Sequence, residues 1–199
     1  NALMGKSLSS DIALLDKTNK SVLAHSGKQI RPVLCLLAAR ACSGGFVTED
    51  TLLYASAVEL LHNATLLHDD VADDSPMRRG VPTVMSLLGG RASVLLGDYW
   101  LVKGMENILA SANSSAKVIR IFAATLSDLA EGELLQLQKA DTGDTLEQDY
   151  YKIIYNKTSS LFVAAATSGA MSVGASEEKM KAVRTYAKCL GQAFQIKDD

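Results

Sequence analysis

The stretch Leu66-Leu67-His68-Asp69-Asp70-Val71-Ala72-Asp73-Asp74 follows a long apolar run and places four carboxylates within six positions. In a helix, Asp69 and Asp73 project from one face about one turn apart, and Asp70 with Asp74 forms a second such pair. Clustered carboxylates repel one another, so their pKa values rise unless a cation neutralises them. Because Mg²⁺ is held by one or two carboxylates, water and substrate phosphates, the cluster predicts a magnesium site. The alternative is a solvated acidic helix end, which the helix dipole disfavours at a C-terminus.

Two adjacent arginines, Arg78 and Arg79, come directly after this cluster, behind a break at Ser75-Pro76. Guanidinium groups bind phosphate oxygens with two parallel hydrogen bonds. Metal-binding carboxylates beside such arginines are what a diphosphate site requires. The segment therefore predicts diphosphate binding.

The composition limits the class of protein. The chain has 199 residues, of which 48% are apolar and 21% charged, so it can bury a core, and we expect one domain over residues 1–199. A net charge of -2 argues against a nucleic-acid binder. No apolar run reaches the roughly 18 residues of a membrane span.

The three cysteines form no C-x-x-C pair, which argues against a disulfide framework or a zinc site and favours a reducing compartment. We therefore expect a cytoplasmic protein. Whether a targeting segment has been removed is left open, because the chain begins with Asn1 rather than Met. Since it stops on Asp198-Asp199 in mid-pattern, we expect the domain to lack its C-terminal part.

Apolar residues recur at spacings of three and four, and β-branched alternation is scarce, so the chain is predicted to be all-α. Thr48 and Ser176 are expected N-caps, and Thr145 with Gln148 is an expected capping box. Apolar helices of this length must pack on one another, which predicts a helical bundle. The expected helices cover about 11–25, 32–43, 49–74, 91–110, 115–139, 145–171 and 177 onward.

Further cations precede the acidic cluster. Lys28 and Arg31 lie three apart at a loop-to-helix junction, where free backbone N–H groups also favour an anion, although an ordinary solvated pair is the alternative. His62 lies two turns before Asp69 on a similar face. A lone histidine in an apolar helix is commonly a core residue, but nearby phosphate ligands would make it a donor.

Two more segments carry polar groups in apolar surroundings. Lys157, within Asn156-Lys157-Thr158, is flanked by apolar residues, and a buried lysine needs a partner, so it faces either solvent or a lined cavity. The segment Phe194-Gln195-Ile196-Lys197-Asp198-Asp199 ends in a second aspartate pair. This pair is either an acidic helix end or a second metal-holding pair that faces the first.

Taken in order, these motifs resemble the trans-isoprenyl diphosphate synthases, especially the bacterial and plastid medium- and long-chain polyprenyl types. The resemblance runs from about residue 20 to the end. The motifs that carry it are G-K-x-x-R-P at 27–32, L-x-H-D-D-x-x-D-D-S-x-x-R-R-G-x-P-T at 66–83, G-D at 97–98, K-T at 157–158 and F-Q-I-x-D-D at 194–199.

The resemblance implies the isoprenoid-synthase helical bundle around a central cavity, a homodimer, Mg²⁺ as cofactor, and isopentenyl diphosphate and an allylic diphosphate as substrates. It implies catalytic roles for Asp69, Asp73, Arg78 and Lys157, and metal ligation by Asp69, Asp73 and Asp198, with Asp70 in the first or second coordination shell. The implied allylic-diphosphate contacts are Arg78, Lys157, Thr158 and Gln195. The implied isopentenyl-diphosphate contacts are Lys28, Arg31, His62 and Arg79.

The side chains one to two turns before Asp69 should decide where the growing prenyl tail is blocked. Ala64 and Thr65 are small, whereas short-chain farnesyl-type members carry bulky aromatics there. We therefore expect products longer than fifteen carbons. Leu61 and Leu60 lie still further from Asp69 and could block the tail there. Product lengths of twenty carbons and of forty or more both remain open.

One departure from the family pattern keeps rival functions open. The third aspartate of the second motif is absent from this sequence, which admits a non-catalytic partner subunit of a heteromeric prenyl synthase. Such subunits typically lose the first motif, which is intact here. A terpene cyclase of the same fold is a second rival, but it would not need Gly27-Lys28 or both arginines. A plain acidic helical interaction domain would leave the ordered cations unexplained.

Overall fold

The computed structural model describes residues 1–112 and 115–199, and helices dominate these ranges. No helix in this part of the chain combines the length and the apolar character needed to cross a membrane. The helices are α1 (Ala2–Ser7), α2 (Ala13–Ala24), α3 (Ile30–Ser43), α4 (Glu49–Ala72), α5 (Val84–Leu88), α6 (Gly90–Leu109), α7 (Ala116–Thr142), α8 (Glu147–Ile154), α9 (Ser160–Ser172) and α10 (Glu177–Asp198). A π-helical segment, Tyr155–Ser159, joins α8 to α9 and is called the π-turn below.

Helix α4 lies at the centre and packs against α3, α6 and α9. The predicted cap is confirmed, because the Thr48 hydroxyl accepts a hydrogen bond from the Thr51 amide at 3.2 Å. On one side of α4, Val58 and Leu61 join a core with α6, α7 and α9. On another side, Leu60 and Ala64 pack against Trp100 and the N-terminal helices. Burial along its length therefore fixes the direction in which the acidic end points.

The acidic end of α4 is less regular than predicted. The helix ends at Ala72 with Asp73 as its C-cap, and Asp74 has a left-handed backbone at φ 49°. The expected helical pairing of Asp70 with Asp74 is therefore wrong. The chain then forms a short antiparallel hairpin, in which Met77–Arg78 pairs with Val81–Pro82. Sequence periodicity did not predict this hairpin, because each strand has only two residues.

The region after α7 also departs from expectation. Helix α7 continues to Thr142, past its expected end near residue 139, and the turn that follows begins at Gly143, which has φ 67°. The expected capping box at Thr145 is wrong: Leu146 is the N-cap, and its amide donates to the Asp149 carboxylate at 3.1 Å. Asp149 fits this position, since an acid in the first turn also complements the helix dipole. The single helix expected over 145–171 is divided by the π-turn.

Candidate active site

Asp69 lies half-buried among charged groups from three elements. Burial and the neighbouring Glu133 carboxylate raise the pKa of Asp69 to about 6, whereas Lys157 and Arg78 oppose the rise. Asp73 adds a smaller raising effect from the next turn. A carboxylate that is partly desolvated beside other carboxylates gains when a cation approaches. This end of α4 can therefore attract a positive ion.

Asp70 points elsewhere. Its carboxylate accepts from Arg78 Nε at 2.7 Å, and its side chain is 5% exposed. The ion pair holds the Arg78 guanidinium beside the acidic end of α4. Asp70 thus orients an arginine.

The donor chemistry of Asp69 and Asp73 fits a hard divalent ion. Within residues 1–112 and 115–199, no three His, Cys, Asp or Glu side chains come close enough to form a metal site. Mg²⁺ does not need such a set, because one or two carboxylates suffice when substrate phosphates and water complete the shell. Two exposed or half-buried carboxylates one turn apart meet that requirement.

The π-turn brings Lys157 to the same place. Lys157 Nζ lies 2.6 Å from Glu133 Oε2 and donates to Gln136 Oε1 at 2.8 Å, both on α7. This approach requires glycine at two positions, since a Cβ on Gly132 would lie 2.6 Å from the Asn156 Cβ. A Cβ on Gly191 of α10 would likewise lie 2.6 Å from the Ser159 Cα. The π-turn is therefore packed between two positions, Gly132 and Gly191, that carry no side chain.

A chain of hydrogen bonds links the π-turn to α10. The Thr158 hydroxyl donates to Gln195 Oε1 at 2.7 Å, and Gln195 Nε2 donates to Asp199 Oδ1 at 2.8 Å. The Tyr150 hydroxyl donates to the other Asp199 oxygen at 2.7 Å. These two donors hold the pKa of Asp199 below its ordinary value. The Asp198 side chain is exposed and has no hydrogen bond or ion pair in the described part of the chain.

A second set of cations lies across α4. Arg31 Nη1 is 3.1 Å from His62 Nε2, and the guanidinium carbon stands 4.9 Å above the centroid of the Phe162 ring. Burial lowers the pKa of Arg31 to about 10 and that of His62 well below 6.5, and Arg31 lowers the latter further. His62 is therefore neutral at pH 7. Arg79 has φ 52° and donates to the His25 carbonyl at 2.9 Å, and Lys28 is exposed.

The three candidate chain-length residues differ in surroundings. Ala64 and Leu61 are fully buried, and they belong to the two separate cores on α4. Thr65 is partly exposed, and its hydroxyl donates to the His62 carbonyl at 2.8 Å. Thr65 is therefore the one of the three that belongs to neither core.

A cavity of about 530 Å³ lies on a neighbouring face of α4. Asp70, Arg78 and Arg79 are among its lining residues, and apolar residues of α2, α4 and α5 make up much of the rest. Asp69, Lys157 and Gln195 are not among its lining residues. This cavity is therefore beside the place where the acidic end of α4 meets the π-turn, not at it.

The sequence profile of the polyprenyl synthetase family matches residues 12–199. The chain belongs to that family. It is 38% identical over all 199 residues to the octaprenyl diphosphate synthase of Escherichia coli (strain K12) and covers 60% of that relative's length. The chain thus spans about three fifths of the curated relative.

Solved structures of this family share the fold. A decaprenyl diphosphate synthase from Rhodobacter capsulatus matches with a TM-score of 0.91 and 38% identity, over 100% of this chain and 60% of the other. A polyprenyl synthase from Caulobacter crescentus CB15, complexed with calcium and isoprenyl diphosphate, matches with a TM-score of 0.92 and 37% identity over the same shares. The predicted all-α isoprenoid-synthase fold is confirmed.

Several residues at the candidate site were not predicted. Glu133 and Gln136 contact Lys157, and Phe162 covers Arg31. A glutamate and a glutamine three apart on α7 were a usable signal, because both occupy one face. The pairing of Phe162 with a residue about 130 positions earlier had no local signal.

Proposed function

We propose that the protein is a trans-prenyltransferase that condenses isopentenyl diphosphate with an allylic diphosphate into a polyprenyl diphosphate. The observation that carries the proposal is the 2.6 Å ion pair of Lys157, on the π-turn, with Glu133, both of which act electrostatically on Asp69 at the end of α4. Two residues 88 positions apart in the chain thus supply a cation and a metal-binding carboxylate to one place. The family membership and the names of the relatives agree with this activity.

The proposed reaction begins with ionisation of the allylic substrate. The bond between its first carbon and the diphosphate oxygen breaks, and the electron pair leaves with the diphosphate. The double bond of isopentenyl diphosphate then attacks the allylic carbocation, and the released diphosphate takes the proton that is lost. The apolar helices exclude water, which would otherwise capture the cation.

The residues divide into two binding groups. Arg78, Lys157, Thr158 and Gln195 bind the allylic diphosphate in this proposal, and Asp70 orients Arg78 through their ion pair. Lys28, Arg31, His62 and Arg79 bind isopentenyl diphosphate. Preorganised donors of this kind stabilise charge that develops on a leaving group.

Mg²⁺ is the proposed cofactor, with Asp69, Asp73 and Asp198 as its ligands. When bound, it supplies positive charge against the departing diphosphate. Two observations support a divalent ion here. The pKa of Asp69 is raised, and the Caulobacter crescentus relative is described as complexed with calcium and isoprenyl diphosphate.

A cytoplasmic homodimer is the proposed state of the protein. Support for the dimer comes from α6, where Leu95, Val102 and Leu109 recur every seven residues and are exposed on one face. An exposed apolar stripe of this kind is typical of an interface. Leu95→Lys should yield a monomer by sedimentation, whereas Leu134→Lys, at an equally exposed position on α7, should leave the dimer intact. Support for the reducing compartment comes from the three cysteines, which are all free.

The deciding experiment is incubation with Mg²⁺, labelled isopentenyl diphosphate and one allylic primer at a time, followed by sizing of the products. We expect products longer than fifteen carbons, in line with the octaprenyl and nonaprenyl names of relatives. Product formed without isopentenyl diphosphate would indicate a terpene cyclase. No product with any primer would indicate a non-catalytic subunit.

The chain-length proposal is tested at Ala64. Ala64→Phe should shorten the product, because the tail is proposed to pass this residue. Ala64 is fully buried, so the larger ring also strains the core by about 1–3 kcal/mol. Ala55→Phe is the control, since Ala55 is buried on the opposite face of α4 and introduces a similar strain. Unchanged product length in Ala64→Phe would contradict the proposed path.

A further inference from the structure

Glu59 is a buried carboxylate in the apolar half of α4. Its exposure is 1%, and glutamate is very rarely buried to this degree unless it is paired. It lies one turn before His62 and Asn63 on the same helix. A buried charge at this position needs a physical reason, because desolvation disfavours it.

One side of the Glu59 carboxylate is fixed and the other is not. The Asn63 amide donates to Glu59 Oε1 at 3.2 Å and to the Glu59 carbonyl at 2.8 Å. Glu59 Oε2 has no hydrogen-bond partner among the residues described. Arg31 Nε is also buried there without one. The two unpartnered atoms belong to groups of opposite charge.

The groups that face Glu59 are cationic. Arg31 and Arg79 both act on its carboxylate, and Asn63 is its neutral partner. In return, Glu59 raises the pKa of Arg31, against burial and against the repulsion from Arg79. Arg31 and Arg79 also act on His62, as does Arg78. Glu59 therefore supplies negative charge to the desolvated Arg31 guanidinium, on which Arg79 also acts.

We propose that Glu59 is a positioning residue that holds the Arg31 guanidinium, and through it His62, ready for isopentenyl diphosphate. This inference rests on the proposed function, which places Arg31 and His62 at that substrate. The Phe162 ring covers one face of the guanidinium at 4.9 Å, and His62 contacts its Nη1 at 3.1 Å. Glu59 completes the restraint with charge, so that Arg31 keeps its place before the anion arrives. Preorganised binding groups lose less freedom when the ligand binds.

The test measures binding of isopentenyl diphosphate by calorimetry in the absence of an allylic primer, so that no turnover occurs. Glu59→Gln keeps the shape and the acceptor for Asn63 but removes the charge. We expect the Kd to rise about tenfold, because Arg31 would then have to be ordered when the substrate binds. Asp50→Asn is the matched control, because Asp50 is also a buried acid of α4 but lies at its other end. Its Kd should equal that of the wild type.

A double variant tests whether Glu59 acts through Arg31. Arg31→Lys removes the planar guanidinium, and adding Glu59→Gln to it should weaken binding no further. Under turnover, Glu59→Gln should raise the KM for isopentenyl diphosphate and leave the KM for the allylic substrate unchanged. Glu59→Asp, which keeps the charge, should restore part of the affinity. If Glu59→Gln does not fold, the Kd of Glu59→Asp is measured in its place.

The outcomes separate this inference from the proposed function. A wild type that binds no isopentenyl diphosphate overturns the proposed function and the inference together. A wild type that binds it, with an unchanged Kd in Glu59→Gln, overturns the inference alone. An equal rise in the KM of both substrates also overturns it, because a general loss of structure would act on both.

Discussion

The two sets of cations on either side of α4 are held in opposite ways. Lys157 is already engaged by Glu133 at 2.6 Å and by Gln136 at 2.8 Å, on a turn clamped between glycines. Arg31 has an aromatic face and a neutral histidine beside it, and no carboxylate lies within salt-bridge distance in the described ranges. Lys157 must therefore exchange partners when an anion arrives, whereas Arg31 is held without an anionic contact that must first be broken.

This difference suggests a division of labour between the two sets. A group that exchanges one carboxylate for a phosphate can respond to the charge of its neighbours, including a metal beside Asp69. A group fixed by burial and stacking instead keeps the same position while it binds its anion. We expect substitutions near Lys157 to alter turnover and binding of the allylic substrate, and substitutions near Arg31 to alter binding of isopentenyl diphosphate.

The largest effect is expected at Asp69. Asp69→Asn removes the carboxylate that faces Lys157 and should lower kcat by roughly 100- to 1,000-fold, the range seen when one electrostatic group of an active site is removed. Asp74→Asn is the control, because Asp74 is exposed and left-handed, a conformation that asparagine adopts readily. Equal turnover in Asp69→Asn and the wild type would remove the contrast between the two sets.

A smaller effect is expected from the glycine clamp. Gly132→Ala places a Cβ against Asn156 and the Lys157 backbone, so the π-turn must shift. We expect a loss of about 1–3 kcal/mol in the free energy of unfolding. The KM for the allylic substrate should rise, while isopentenyl diphosphate binds as before.

Gly5→Ala is the control for that substitution. Gly5 lies inside α1, and no atom comes within 4 Å of a Cβ at that position. The change should therefore leave both KM values unaltered and slightly raise stability through helix propensity. A Gly132→Ala variant that behaves like Gly5→Ala would show that the π-turn does not depend on the close approach.

The smallest effect is expected in the pH dependence of stability. His62 stays neutral in the folded protein because burial and Arg31 hold its pKa well below 6.5. Below pH 6.5 the unfolded chain binds a proton there and the folded protein does not, so the free energy of unfolding falls as the pH falls. Between pH 6.5 and pH 5 the loss is up to about 2 kcal/mol.

Denaturant unfolding at several pH values measures this effect against His62→Gln. The difference between the two proteins isolates His62, because Glu59 and Asp69 have raised pKa values and change stability with pH in the opposite sense in both. Parallel stability curves for the two proteins would mean that His62 is not held neutral.

The sequence was sufficient for the long elements and for the positions of the motifs. Thr48 and the apolar spacing after it predicted α4, since a capped amphipathic helix is a local property. The pairing of Asp70 with Arg78 was not predicted, because it depends on a hairpin of two-residue strands. The π-turn was missed for a related reason: its sequence is compatible with an ordinary helix, and Gly132 and Gly191 on other elements make room for it.

The cysteines differ in access, because Cys35 and Cys42 are buried and Cys189 lies exposed on α10. Burial also raises the pKa of the Cys35 thiol to about 12, which keeps that thiol protonated and unreactive. A maleimide dye should therefore modify the unaltered chain at Cys189, six residues before Gln195. Fluorescence from that single label would report on α10 as a diphosphate analogue is added, with no need for engineered cysteines.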